Sequence, residues 1–218
     1  MKTRFIIALI IILVGLTLWG IRALASSSVG PNSPYAATND SSVGTYAWNN
    51  PTNVEVSDGQ YASVSTGGNS FTYYLYATGF GFSIPTGATI DGVVAQVQKV
   101  TLAGAGSTVD NSVKLIKGGT ISGTDKADTT TPWPYTEAYV SYGGSSDLWG
   151  LSLTPSDVSA SNFGLAFSAE GGYQDINGYP AIDHIELTVY YTTASGTHAS
   201  VTQTSGKWVI TGGKTIIQ

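Results

Sequence analysis

Short runs of alternating apolar and polar residues recur after residue 25, broken by clusters of Gly, Ser, Asn, Asp and Pro. No long apolar period of 3.6 residues appears there, so the pattern predicts strands rather than helices. Strands are expected over 43–48, 61–66, 71–77, 89–102, 109–117, 137–142, 148–153, 163–169 and 181–192. The alternation is clearest in two of them. Within 90–100, Asp91, Val93, Ala95, Val97 and Lys99 share one face, and the apolar middle of that set marks it as core-facing. Within 181–191, Asp183, Ile185, Leu187, Val189 and Tyr191 share a face, with Ile185, Leu187 and Val189 directed inward. One helical turn is expected at Thr154-Pro155-Ser156-Asp157, with Thr as N-cap and Pro at the first helical position. Short strands at this spacing predict an all-β, antiparallel β-sandwich of jelly-roll-like form.

The two ends differ from this middle. Lys2 and Arg4 precede an uncharged run, Phe5 to Ile21, and Arg22 is followed by Ala23-Leu24-Ala25-Ser26. A basic start, an apolar helix and an A-x-A site make residues 1–25 a signal peptide. The run just reaches bilayer-spanning length, so an uncleaved anchor is the rival reading; the A-x-A site favours cleavage. Residues 26–34 (SSSVGPNSP) read as a flexible leader. The β-sandwich is expected over 35–192. Residues 193–218 form a C-terminal extension, with strands at 201–204 and 207–210 flanking Ser205-Gly206 in a small hairpin and a third strand at 214–217. So short a piece buries little surface alone, and it must dock, pair with another chain or stay mobile.

Charge narrows the function classes. Charged residues make up 11% of the chain, against roughly 25% in an average domain. With Lys2, Arg4 and Arg22 removed, six cations face fourteen anions, a formal net charge of −8. No basic patch is left to neutralise phosphates, so nucleic acid is not a partner, and membrane contact is restricted to the N-terminal segment if it is retained. The absence of cysteine excludes disulfides, thiolate metal sites and cysteine nucleophiles.

Several segments together resemble a recurrent exported β-sandwich module of bacterial surface proteins and of phage virion or tail-associated proteins. They are Tyr74–Pro85 (YLYATGFGFSIP), Thr89–Val93 (TIDGV), Ser112–Leu115 (SVKL), Ala138–Gly150 (AYVSYGGSSDLWG), Asn162–Gly164 (NFG) and Asp183–Tyr191 (DHIELTVYY). The resemblance spans roughly Tyr35 to Thr192 and implies a non-enzymatic structural or adhesive module. It carries over no catalytic or ligand-binding residue. A signal peptide departs from the phage setting, because virions assemble in the cytoplasm, and favours the bacterial-surface branch.

The candidate chemistry is sparse. His184 and His198 are the only histidines, and no nucleophile elbow, zinc-protease helix or phosphate loop is present. His184 reads as a surface histidine on a solvated sheet face, and His198 as exposed in a linker. The main expectation is therefore a secreted or cell-surface, non-catalytic sandwich that packs against itself or other surface proteins. A calcium-supported carbohydrate-binding module is the alternative, and a glycan-active enzyme a remoter one. Sugar contact would use loop aromatics: Trp133 and Tyr135 in Pro132-Trp133-Pro134-Tyr135, and Tyr173 with Tyr179 around a turn. Ca2+ would use Asn39 with Asp40, Asp125 with Asp128, or Asp175 with Asn177, although Asx residues in such places ordinarily cap turns. Asp183 opens an inward strand face and must reach solvent, a backbone amide or a cation; a backbone amide is expected. Trp48 and Trp149 are expected in the core.

Overall fold

The computed structural model describes residues 24–102, 107–173, 178–194, 200–204 and 207–211. The expected signal peptide therefore lies almost wholly outside the described residues, as do His198, Asp175, Asn177 and the third tail strand. Among the described residues, no helix is long and apolar enough to cross a membrane.

Two antiparallel sheets pack face to face. The first contains β1 (Leu24–Asn32), β11 (Pro180–Ala194), β6 (Thr89–Thr101) and β9 (Ala138–Gly144) in that order, with β3 (Ala62–Ser63) also on β11. The second runs β2 (Ala36–Asp40), β5 (Tyr74–Thr78), β10 (Gly164–Tyr173), β7 (Ser107–Lys117) and β8 (Thr120–Ser122), with β4 (Ser70–Phe71) also on β10. This is the antiparallel sandwich that the alternation predicts. Val93, Ala95 and Val97 oppose Val189, Leu187 and Ile185 across the β6–β11 ladder, and all six are buried. In the facing sheet Val113 and Leu115 oppose Phe167 and Leu165, also buried. The layer between holds Trp48, Trp149, Phe163 and Leu75. Burying side chains of this size contributes about 1.5–3 kcal/mol each, enough to fix which face turns inward.

The expected helical turn is α1 (Pro155–Ser159). Thr154 and Asp157 form a reciprocal capping box, each side chain meeting the other's backbone N–H. The tail hairpin pairs β12 (Ser200–Thr204) with β13 (Lys207–Thr211), as its sequence predicts. It belongs to a compact unit separate from Ser26–Thr193.

Three expectations differ from the structure. The leader is not loose: Leu24–Asn32 is β1 and joins the edge of β11. Its Ser-rich sequence has no apolar period, but an open strand edge offers backbone pairing that needs none. Residues 43–48 make one bridge, from Tyr46 to Thr72, rather than a strand, and β2 precedes them. Residues 148–153 make a turn, because Trp149 takes a left-handed φ of 56° that ends any extended run. Its indole N–H still reaches the Val93 carbonyl at 2.9 Å and stays in the core.

Candidate functional site

Among the described residues, a buried cluster around an ion pair comes from the end of β6 and the start of β7. Lys99 continues the inward phase of Val93, Ala95 and Val97, so simple alternation turns it into the core. Asp110 arrives there by a different route. From Val113 and Leu115, alternation along β7 would point Asn111 inward and Asp110 outward. A β-bulge intervenes: Ser112 faces Ser168, but Ala169 faces Asp110, leaving Asn111 unpaired. The extra residue reverses the phase, and Asp110 takes the inner side with Ala169.

The geometry is closed and dense. Lys99 is 4% exposed and Asp110 0%. The Lys99 Nζ lies 2.5 Å from Asp110 Oδ1 and 2.6 Å from the Tyr142 hydroxyl. Tyr142 in turn donates to Asp110 Oδ2 at 2.9 Å. The Trp133 indole N–H donates to Oδ1 at 2.7 Å, and the Asp128 backbone N–H to Oδ2 at 3.1 Å. Each carboxylate oxygen thus has two donors, and charge-assisted bonds of this kind are roughly twice as strong as neutral ones. The ammonium also lies 4.6 Å from the centre of the Trp133 ring and 5.6 Å from that of Phe167. Burial pushes Lys99 below its ordinary value of 10.5, against the pull of Asp110. The Tyr142 phenol is pushed up, by burial first and then by the Asp110 charge. A cleft of about 350 Å³ opens beside the pair, lined by Trp133, Pro134, Asp128 and Val140 among others.

Trp133 corrects the expectation of a sugar-stacking ring. It is 2% exposed, packs against Phe167 at 5.7 Å and binds Asp110, so the indole is part of the core and not a ring displayed on the surface. The flanking prolines hold the loop so that Trp133 turns in while Tyr135 stays 65% exposed. Tyr179 is half-buried, and the Tyr173 side chain lies outside the described residues.

The Asx candidates anchor turns. Asn39 holds both the N–H and the C=O of Trp48 at 2.9 Å. Asp40 accepts from the Ser42 N–H and hydroxyl. Asp125 accepts from the Val113 and Ala127 N–H groups and the Ser112 hydroxyl. Asp128 accepts from Thr130 and Thr131, and bonds from Thr131 and then Thr130 hold its carboxyl well below the usual carboxylate range. Among the described residues, no three His, Asp or Glu side chains gather as a group that could hold a metal ion.

Asp183 and His184 sit at a second bulge. Ile182 faces Lys99 and His184 faces Gln98, so Asp183 is the unpaired residue and Ile182 takes the inner side that alternation gives to Asp183. The Asp183 carboxylate accepts from the Gly59 N–H at 2.9 Å, the Asp58 N–H at 3.4 Å and the Ser57 hydroxyl at 3.2 Å. Backbone bonding is what the sequence leads one to expect there. His184 is not the solvated histidine expected: it is buried, with Nε2 at 2.8 Å from the Ser33 hydroxyl and Nδ1 at 2.8 Å from that of Tyr139. Burial holds its pKa below 6.5, against the opposing charges of Glu186 and Asp183.

The Lys99–Asp110–Tyr142 cluster was not foreseen as a site. Its one legible signal was a lysine in the apolar phase of β6; nothing local to β7 indicated that Asp110 would meet it. Comparison with protein-family models and with curated proteins found no match for this chain.

Proposed function

We propose that this is an exported, non-catalytic β-sandwich acting as a structural or adhesive module at the cell surface or outside the cell, and that it associates with further copies of itself. The observation that supports this reading most is where the charge lies. Asp110, Asp183 and Lys99 are all buried and bonded within the scaffold, where they tie its strands and loops together. The export layout of residues 1–25 and the resemblance to surface modules point the same way. Strand β9 (AYVSYGG) carries no charged residue, and among the described residues no strand pairs with its second edge. Uncharged edges of this kind favour strand addition. The tail hairpin is the element we assign to pairing with a second copy.

Sizing of the chain with and without residues 195–218 tests this. The full chain is expected to elute as a larger species and the shortened one as a monomer. Identical monomers would remove self-association from the proposal.

A calcium-supported carbohydrate-binding module is the second reading, favoured by the exposed ring of Tyr135 on the loop that carries Trp133. Glycan binding that disappears in Tyr135→Ala, and weakens when a chelator removes Ca2+, would support it. Glycan binding unchanged by both would set this site aside.

A further inference from the structure

We propose that Lys99 and Asp110 condense spontaneously into an intramolecular amide, covalently joining β6 of one sheet to β7 of the other. Three features of the site carry this. The first is proximity. The amine nitrogen stands 2.5 Å from Oδ1, inside the ~2.7–2.9 Å of an ordinary charge-assisted hydrogen bond. Both partners are held by packed strands, and pre-orientation of that kind replaces a bimolecular encounter. The second is dryness. Lys99 and Asp110 are buried against Trp133, Tyr142 and Phe167, where lost hydration favours a neutral amine over an ammonium relative to water. Burial accordingly lowers the affinity of Lys99 for its proton. The third is a set of groups placed where amide formation needs them.

Tyr142 supplies the proton path. Its oxygen accepts from Nζ at 2.6 Å while its own proton points to Oδ2 at 2.9 Å. A concerted shift through the phenol moves one proton from Nζ to Oδ2, converting ammonium and carboxylate into amine and acid. The Nζ lone pair then attacks Cγ, and the carbonyl electrons move onto Oδ1. The Trp133 indole N–H, 2.7 Å from Oδ1, is placed to hold that developing charge. The carbonyl re-forms as the Cγ–Oδ2 bond breaks, its electron pair leaving with Oδ2. A second proton from Nζ, again passed through Tyr142, completes a water molecule. One C–N bond forms, one C–O bond breaks and one water is released, with no oxidant, reductant or cofactor. The cleft beside Lys99 and Asp110 gives that water a way out.

The bond does not depend on what the protein binds, and its test is independent of self-association. The intact mass of the purified, denatured full chain, with its first residue fixed by N-terminal sequencing, is expected to be one water below the mass its sequence requires. Tandem fragmentation should locate a branch between Lys99 and Asp110. A chain at full sequence mass overturns the proposal without recourse to any variant. Lys99→Arg keeps the charge but cannot form the amide, and should restore full mass. Water loss that persists in Lys99→Arg also overturns it, since cyclisation at Asp58-Gly59 or Asp91-Gly92 would then be the source. Tyr142→Phe keeps the ring and removes the relay, and should slow the loss of water in freshly refolded protein by about a hundredfold. Formation at the unaltered rate would overturn the role assigned to Tyr142.

Discussion

Asp110 and Asp183 are both buried carboxylates, 0% and 1% exposed, and both sit at β-bulges. They are neutralised in opposite ways. Asp183 is held by the backbone N–H groups of Asp58 and Gly59 and by the Ser57 hydroxyl. Amide dipoles spread its charge over a loop and offer it nothing to react with. Asp110 meets a full charge on Lys99, with Tyr142 and Trp133 completing the shell. An ion pair in a dry, aromatic site is strongly coupled: each ion depends on the other to offset its lost hydration. The same side chain at the same kind of irregularity therefore gives an inert anchor in one place and a reactive pair in the other.

The sharpest way to break this contrast is to remove one member of the pair. Asp110→Ala leaves Lys99 buried without its counter-charge and the Trp133 and Tyr142 donors without their acceptor. It should cost about 3–5 kcal/mol in denaturant unfolding. Replacing both charges, as Lys99→Met with Asp110→Leu, should recover the part of that loss that comes from the unpaired charge, because apolar isosteres often match a buried pair, while the part that comes from the amide stays lost in both variants. A double variant as unstable as the single one would refute the coupling.

Asp183→Ala is expected to be milder, about 1–3 kcal/mol, since it leaves unpaired amides that a water can reach rather than an unpaired charge. The same measurement applies, and a loss equal to that of Asp110→Ala would erase the distinction between the two sites.

A smaller effect should follow pH. His184 sits beside the Asp183 bulge with its folded pKa held below 6.5 by burial. As pH falls through 6.5, the unfolded chain gains a proton at this position that the folded chain does not. This contribution is fully present above that pH and is lost progressively towards the lower folded pKa. Unfolding midpoints between about pH 7 and about pH 5 should fall more steeply in the native chain than in His184→Gln. Equal slopes would show that the ring is not held neutral.

The smallest change belongs to Tyr135, on the loop that carries Trp133. Tyr135→Ala, at an exposed position, should alter stability by no more than about 0.5 kcal/mol. Trp133→Ala, two residues earlier, empties a core position and should cost about 3–5 kcal/mol. Equal melting of the two variants would contradict the inward turn of the indole.

The sequence by itself determined the sheet class and the faces of its two longest strands. In β6 and β11 the alternation of Val, Ile and Leu with polar residues is local, strong and repeated, so Val93, Ala95, Val97, Ile185, Leu187 and Val189 were legible as core. The Thr154 N-cap was legible for the same reason: the N–H it binds, that of Asp157, is three residues on. Even Lys99 was readable as an intruder in an apolar phase. Only the tertiary structure decided what Lys99 meets. The bulge at Asn111 depends on how β7 registers against β10, a strand more than fifty residues away, and one extra residue turns Asp110 from the outer face to the inner. The same holds for Trp133, drawn inward by a carboxylate and a phenylalanine on other strands, and for His184, covered by Ser33 and Tyr139. Periodicity fixes a face only while the register runs unbroken, and where it breaks, the partner strand chooses.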